Sequence, residues 1–431
     1  MKFQKICVLG LGYIGLPTAS TFATHGLEVV GVDVNQRVIE TLRTGGLHIH
    51  EPGLRTLVQA ALGSGSLRIS ERPEPADAYI IAVPTPFFGD KFADLSYVEA
   101  AAKSIVPCIS PGNLVVLEST SPPRTTKDLL VEILEESGLK AGDDFSLAYS
   151  PERVLPGQIL RELIENARVI GGIDQRSAEA GRDLYKMFVR GEIILTDATT
   201  AEMVKLMENT YRDVNIALAN EFSHLAERFG IDVWQAIEIA NHHPRVNVLR
   251  PGPGVGGHCI GVDPWFLVES APDITELIHT ARRLNDQQPQ HVVDLILDAL
   301  KEEQGVKSLQ RVKVAVLGLS YKPDVDDLRG SPALSVAQKL SEDGAIVTAY
   351  EPYLKQKQGN GLNCAASLEE AVEDADIVLC LVGHIPFLEL TPDQLAKFSR
   401  TRLVVDLVNA WASPDWERAG FKMIRLGVGN N

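Results

Sequence analysis

Cys259 stands in the run PGPGVGGHCIGVDP, residues 251–264, where glycine and proline crowd around a single thiol. Gly252, Gly254, Gly256 and Gly257 leave backbone amides bare of side chains, able to approach a phosphate or an oxyanion. Such amides, with a cation nearby, favour the thiolate, the nucleophilic form of cysteine. Far upstream lie Gly10, Gly12 and Gly15, spaced GxGxxG, directly after the apolar run KICVLG and before the helix-compatible run LPTASTFATHG. The first two glycines permit a tight turn and close approach of a pyrophosphate, and the third lets a helix pack on a strand. Asp33 closes the next apolar run, where a carboxylate accepts from adenosine ribose hydroxyls and repels a 2′-phosphate, which favours NAD over NADP. A thiol on a chain with a nicotinamide site points to oxidation through a covalent thioester, a four-electron process.

Lys205, Asn209 and Arg212 stand at i, i+4 and i+7 and so share one helix face. An amine, an amide and a guanidinium in one stripe can grip an anionic, hydroxyl-rich ligand; a solvated polar face is the competing reading. A metal set from His258, Cys259 and Asp263 with His242 or His243 is also conceivable, but adjacent ligands space poorly and no second cysteine is near, so no metal is expected.

These residues need a scaffold. Residues 199–230 read as one helix about 45 Å long, with Thr199 and Glu202 as a capping box and Gly230 as its stop. Its apolar positions Met203, Met207, Val214, Leu218, Phe222, Leu225 and Phe229 need a second surface, which a homodimer would supply. On either side, short and nearly continuous apolar runs alternate with helix-compatible segments: KICVLG, EVVGVD, AYIIAVPTP, NLVVLEST and SLAYSPER early, then RVKVAVLGL, AIVTAYEP, DADIVLCLV and RLVVDLVN. Such runs fit strands buried on both faces of a parallel sheet. The expected fold class is α/β, with two Rossmann-like doubly wound domains joined by a helical central domain: residues 1–195 for NAD, 196–300 for the long helix and the thiol, and 311–431 at the C-terminal end.

A formal charge of −16 excludes the basic surface that nucleic acid or an anionic membrane needs. With no signal peptide and no apolar stretch long enough to span a bilayer, a cytoplasmic location is expected. The five cysteines, odd in number and without a CxxC pair, encode no disulfide framework.

In order along the chain, VLGLGYIGLP, VPTP, ESTSPP, YSPERVLPG, TAEMVKLMENTYRDVNIALANE, HHPRVNVLRPGPGVGGHC and YKPDVDDLRGSP resemble the UDP-glucose/GDP-mannose dehydrogenase family from first strand to last. The resemblance implies an N-terminal NAD-binding domain, a dimer-forming middle, and a C-terminal domain that helps hold UDP. The implied substrate is a UDP-amino sugar, UDP-N-acetyl-D-mannosamine first and UDP-N-acetylglucosamine as the alternative, oxidised at C6 to a carboxylate.

Position by position, the resemblance makes Cys259 the nucleophile, Lys205 a cationic or acid/base partner and Asp263 an orienting carboxylate, with Glu152, Asn209 and Thr120 also in the catalytic set. Gly10, Gly12, Tyr13, Ile14, Gly15, Asp33, Thr85 and Thr120 would meet NAD, and Arg329 its phosphates. Glu152, Arg153, Val154, Lys205, Asn209, Arg212, His243, Arg245, Gly256, Tyr321 and Lys322 would surround the nucleotide sugar, some of them from a partner subunit. Gly330 stands where related sequences usually carry Glu beside that arginine. Two other classes compete: a two-electron dehydrogenase of the 3-hydroxyacid or 6-phosphogluconate type, and a nucleotide sensor without turnover.

Overall fold

The computed structural model describes residues 2–89, 91–257, 259–354 and 361–429. The early apolar runs are parallel strands covered on both faces. β1 (Lys5–Leu9), β2 (Glu28–Val32), β3 (Leu67–Ser70), β4 (Ala78–Ile81), β5 (Leu114–Leu117), β6 (Ser146–Tyr149), β7 (Arg168–Gly172) and β8 (Ile193–Asp197) form one sheet in the order β3-β2-β1-β4-β5-β6-β7-β8. β6 and β7 are antiparallel. Alternate residues of one strand enter separate cores, as the two-residue period of a strand requires: Val8, Ile80 and Val116 pack with Leu16 and Phe22, whereas Cys7, Tyr79 and Val115 pack with Val98 and Ile105.

The pattern repeats in β9 (Lys313–Leu317), β10 (Ile346–Tyr350), β11 (Asn363–Cys364), β12 (Ile377–Cys380), β13 (Leu403–Asp406) and β14 (Lys422–Arg425), a parallel sheet in the order β11-β10-β9-β12-β13-β14. Val314 and Val316 face one core, Ala315 and Leu317 the other. The chain forms two compact units, residues 1–208 with 265–272 and residues 209–264 with 273–431.

The long helix spans Ala198–Phe229. Its expected capping box is replaced: Asp197, not Thr199, caps the first turn, with Oδ1 accepting from the Thr200 amide at 3.0 Å. Glu202 turns inward, where it accepts from the amides of Arg124 and Thr126 and from the Thr126 hydroxyl. Gly230 ends the helix at φ +70°, and the Ile231 amide closes back on the Ala226 carbonyl at 3.1 Å. Met203, Met207, Tyr211, Leu218, Phe222, Leu225 and Phe229 stay exposed along it. A second long helix, Glu276–Gln304, lies wholly in the second unit. Among the described residues no helix is long and apolar enough to cross a membrane.

Candidate active site

In the first unit the strand order reverses direction between β1 and β4, the point where open α/β sheets bind ligands. Gly10 follows β1 at φ +89°, and a Cβ there would lie 2.5 Å from the Ala82 carbonyl oxygen beyond β4. A Cβ on Gly15 would lie 1.8 Å from the Gly10 oxygen, so both positions exclude a side chain. Around Gly12 a Cβ would meet nothing within 4 Å, which leaves the backbone open to a phosphate. Tyr13 and Ile14, half-buried, complete the turn. Asp33 follows β2; its Oδ2 accepts from the Leu11 amide and its Oδ1 from the Asn35 amide, each at 2.9 Å. Thr85 and Thr120, both half-buried, follow β4 and β5. This cradle fits a dinucleotide, whose phosphates the glycines would meet and whose ribose Asp33 would meet.

Beyond β6, the buried Lys205 ammonium donates to the Glu152 carbonyl oxygen at 2.7 Å. The Glu152 carboxylate accepts from the Arg153 amide at 2.7 Å and from Arg168 Nη1 at 3.3 Å. Arg153 itself is tied to Glu208 and to the Ala167 carbonyl, and Val154 packs against the core. Sequence reasoning passed over Arg168, which is buried at the start of β7 and also holds Glu118 at 2.5 Å and the Ser150 hydroxyl at 2.8 Å. Tyr185 donates to Glu118 at 2.7 Å and lies under the Arg168 guanidinium. Burial pushes the Glu118 carboxyl up to about 7 against the pull of Arg168. The available signals were a glutamate and an arginine inside otherwise apolar strand runs.

In the second unit, exposed Cys259 opens a turn whose carbonyl accepts from the amides of Val262 and Asp263 at 3.0 and 2.8 Å. Asp263, buried at the start of helix Asp263–Ser270, accepts from the Asn209 amide at 2.5 Å. The loop glycines serve close packing rather than open amides alone. A Cβ on Gly256 would lie 2.5 Å from Pro332 Cδ and 2.6 Å from the Gly330 oxygen, and one on Gly257 would lie 2.9 Å from the Tyr321 ring. The thiol loop therefore rests on the segment that holds Tyr321 and Lys322. The Lys322 carbonyl accepts from the Ser320 hydroxyl, and buried His384 bridges Glu351, Ser320 and the Asp324 amide. Arg329 forms a two-pronged pair with Asp327 at 2.8 and 2.7 Å, so a carboxylate two residues before the arginine partners it where Gly330 offers none. Gly330 adopts φ +60°, which disfavours a side chain there.

Arg212, His243 and Arg245 are exposed, so the helical stripe divides into two buried members and one exposed. Among the described residues no group of three or more His, Cys, Asp or Glu can hold a metal; His258 lies outside them.

Three family models cover the chain: the NAD binding domain of the UDP-glucose/GDP-mannose dehydrogenase family at residues 4–189, its central domain at 199–287 and its UDP binding domain at 315–413. The chain belongs to the UDP-glucose/GDP-mannose dehydrogenase family. It is 47% identical to the UDP-N-acetyl-D-mannosamine dehydrogenase of Methanocaldococcus jannaschii, over 99% of this chain and 97% of that one. It is also 47% identical to the NDP-N-acetyl-D-galactosaminuronic acid dehydrogenase of Ralstonia solanacearum, over 96% and 97%. The solved UDP-D-ManNAc dehydrogenase of Pyrococcus horikoshii superimposes with a TM-score of 0.93 at 42% identity, covering 99% of this chain and all of that one. As a member of the UDP-glucose/GDP-mannose dehydrogenase family, the chain is an NAD-dependent nucleotide-sugar dehydrogenase, and the Gly10–Gly15 turn lies within its NAD binding domain.

Proposed function

We propose that the protein is a UDP-N-acetyl-D-mannosamine 6-dehydrogenase that oxidises the C6 hydroxyl to a carboxylate in two steps. The main support is full-length similarity to the UDP-N-acetyl-D-mannosamine dehydrogenase of Methanocaldococcus jannaschii. The Gly10–Gly15 turn would hold NAD, which would supply the hydride acceptor, one molecule for the alcohol and a fresh one, after NADH leaves, for the adduct. The C6 hydroxyl gives its proton to a base, Asp263 or Lys205 acting through water, as the aldehyde forms. The Cys259 thiolate then adds to the aldehyde carbon. A free aldehyde has no hydride-donating alkoxide, and the thiohemiacetal adduct creates one. Its oxidation leaves a thioester, which water activated near Glu152 hydrolyses to the uronate. The role of Lys205 as the cation for the adduct oxyanion rests on family resemblance.

The same reading includes three domains at 1–195, 196–300 and 311–431, and a homodimer. The exposed apolar residues along Ala198–Phe229 support the dimer, since a row of that kind is normally covered. All five cysteines are thiols, which fits action in the reducing cytoplasm.

Equal identity to the Ralstonia solanacearum enzyme makes the C2 and C4 configuration of the sugar the point to test. NADH release is to be measured with UDP-N-acetylmannosamine, UDP-N-acetylglucosamine, UDP-N-acetylgalactosamine and UDP-glucose. UDP-N-acetylmannosamine should lead in kcat/KM by about 100-fold or more. Preference for another member of the panel overturns the assignment of the sugar.

A further inference from the structure

The thiol loop is held at its far end by Asn209, through Asp263. Its near end is held by a second asparagine of the same helix. The Gly252 amide donates to Asn220 Oδ1 at 3.0 Å. Asn220 Nδ2 donates to Asn285 Oδ1 at 3.0 Å, and Asn285 Nδ2 donates to Asp213 Oδ1 at 2.9 Å and to the Asp213 carbonyl at 3.0 Å. Asp213, Asn220 and Asn285 are all buried. Arg282 pairs with the same Asp213 carboxylate.

The series has a fixed direction. Its Asp213 end only accepts and its Gly252 end only donates, so each amide between them has one permitted orientation. Asn209 and Asn220 lie 11 positions apart in the sequence. That is about three helical turns, close to one face and about 16 Å along the axis. Asn285 also fixes the loop by its backbone: a Cβ on Gly254 would lie 3.3 Å from the Asn285 carbonyl oxygen.

We propose that Asn220, oriented by Asn285 and Asp213, is a positioning residue for Cys259. It fixes the start of the loop as Asn209 and Asp263 fix its end, and so sets where the thiol meets the aldehyde carbon. This rests on the reading of Cys259 as the nucleophile. Displacement of a reacting group by about 1 Å can cost about 100-fold in rate, whereas binding of NAD and UDP-sugar depends on groups outside this series.

The test uses the full-length enzyme and the variants Asn220→Ala and Asn220→Asp. Asn220→Ala should lower kcat by roughly 10- to 100-fold, leave both KM values within about threefold, and slow carbamidomethylation of Cys259 by iodoacetamide as followed by peptide mass. Asn220→Asp reproduces the amide pattern only when protonated, since the acid then donates to Asn285 and accepts from Gly252. Its kcat relative to wild type should therefore fall as pH rises, while the Asn220→Ala ratio stays flat. Variants within twofold of wild type at every pH overturn the proposal, as does a fall in kcat matched by equal losses of NAD and sugar affinity. Hydrogen exchange of the wild-type Gly252 amide gives a reading that depends on no variant: slow exchange is expected, and exchange at the rate of an open loop contradicts the clamp. Alkylation and exchange need no sugar, so their outcome is separate from the wild-type NADH count that tests the nucleophile assignment.

Discussion

The Lys205 ammonium lies 2.7 Å from the carbonyl oxygen of Glu152, and both residues are buried. A cation kept from water is retained only where it meets acceptors, and here it meets one at the carboxyl end of β6, beside the Glu152 carboxylate chain that leads to Arg168. Such a group is ready to stabilise negative charge on a reacting oxygen without first being desolvated.

Replacing Lys205 by Ala should lower kcat by about 100- to 1,000-fold, while NAD binding at the glycine turn stays as it was. Steady-state kinetics and a calorimetric NAD titration check this together. A kcat within threefold of wild type contradicts the role.

Arg168 is expected to matter for stability as well as for placing Glu152. Replacing it by Met leaves Glu118 and Glu152 buried without their cation, at a cost of about 3–5 kcal/mol. Urea unfolding measures that loss. Adding Glu118→Gln should recover part of it, because a carboxyl stranded without Arg168 must take up a proton to stay buried and the amide need not; no recovery contradicts the charge account.

Glu202 gives a pH dependence with a definite sign. Burial raises its carboxyl from 4.5 to about 7, with hydrogen bonds from Thr126 and Arg124 pulling the other way. The folded state holds this proton more tightly than the unfolded state, so its stabilising contribution is full below about pH 4.5 and is lost as pH rises through 7. Relative to Glu202→Gln, the wild type should lose a few kcal/mol between pH 5 and pH 8. Guanidinium titrations at the two pH values check the sign, and a gain with rising pH contradicts it.

Much of this architecture was legible because doubly buried strands must be apolar at every position. KICVLG and DADIVLCLV announce their strands for that reason. β3, β7, β8, β11 and β14 were not legible: LRIS alternates, RVIGG opens on an arginine and ends on two glycines, Ile193–Asp197 is largely exposed at a sheet edge, Asn363–Cys364 is two residues long, and KMIR is charged at both ends. The glycine turn and Asp33 could be read from spacing since the local backbone alone decides their geometry. The Arg168 cluster and the Asn220 series could not, because each joins residues 16 to 72 positions apart whose types are ordinary one at a time. The loop glycines were half-read. Their lack of side chains was plain, but the reason, contact with Tyr321, Gly330 and Pro332, needed the fold.

The central claim is that Cys259 captures the aldehyde, and counting NADH per sugar tests it most directly. With limiting UDP-N-acetylmannosamine and excess NAD, the wild type should release two NADH for each uronate formed, and Cys259→Ala should form no uronate. One NADH per sugar in the wild type, or uronate from Cys259→Ala at near the normal rate, would contradict the covalent scheme.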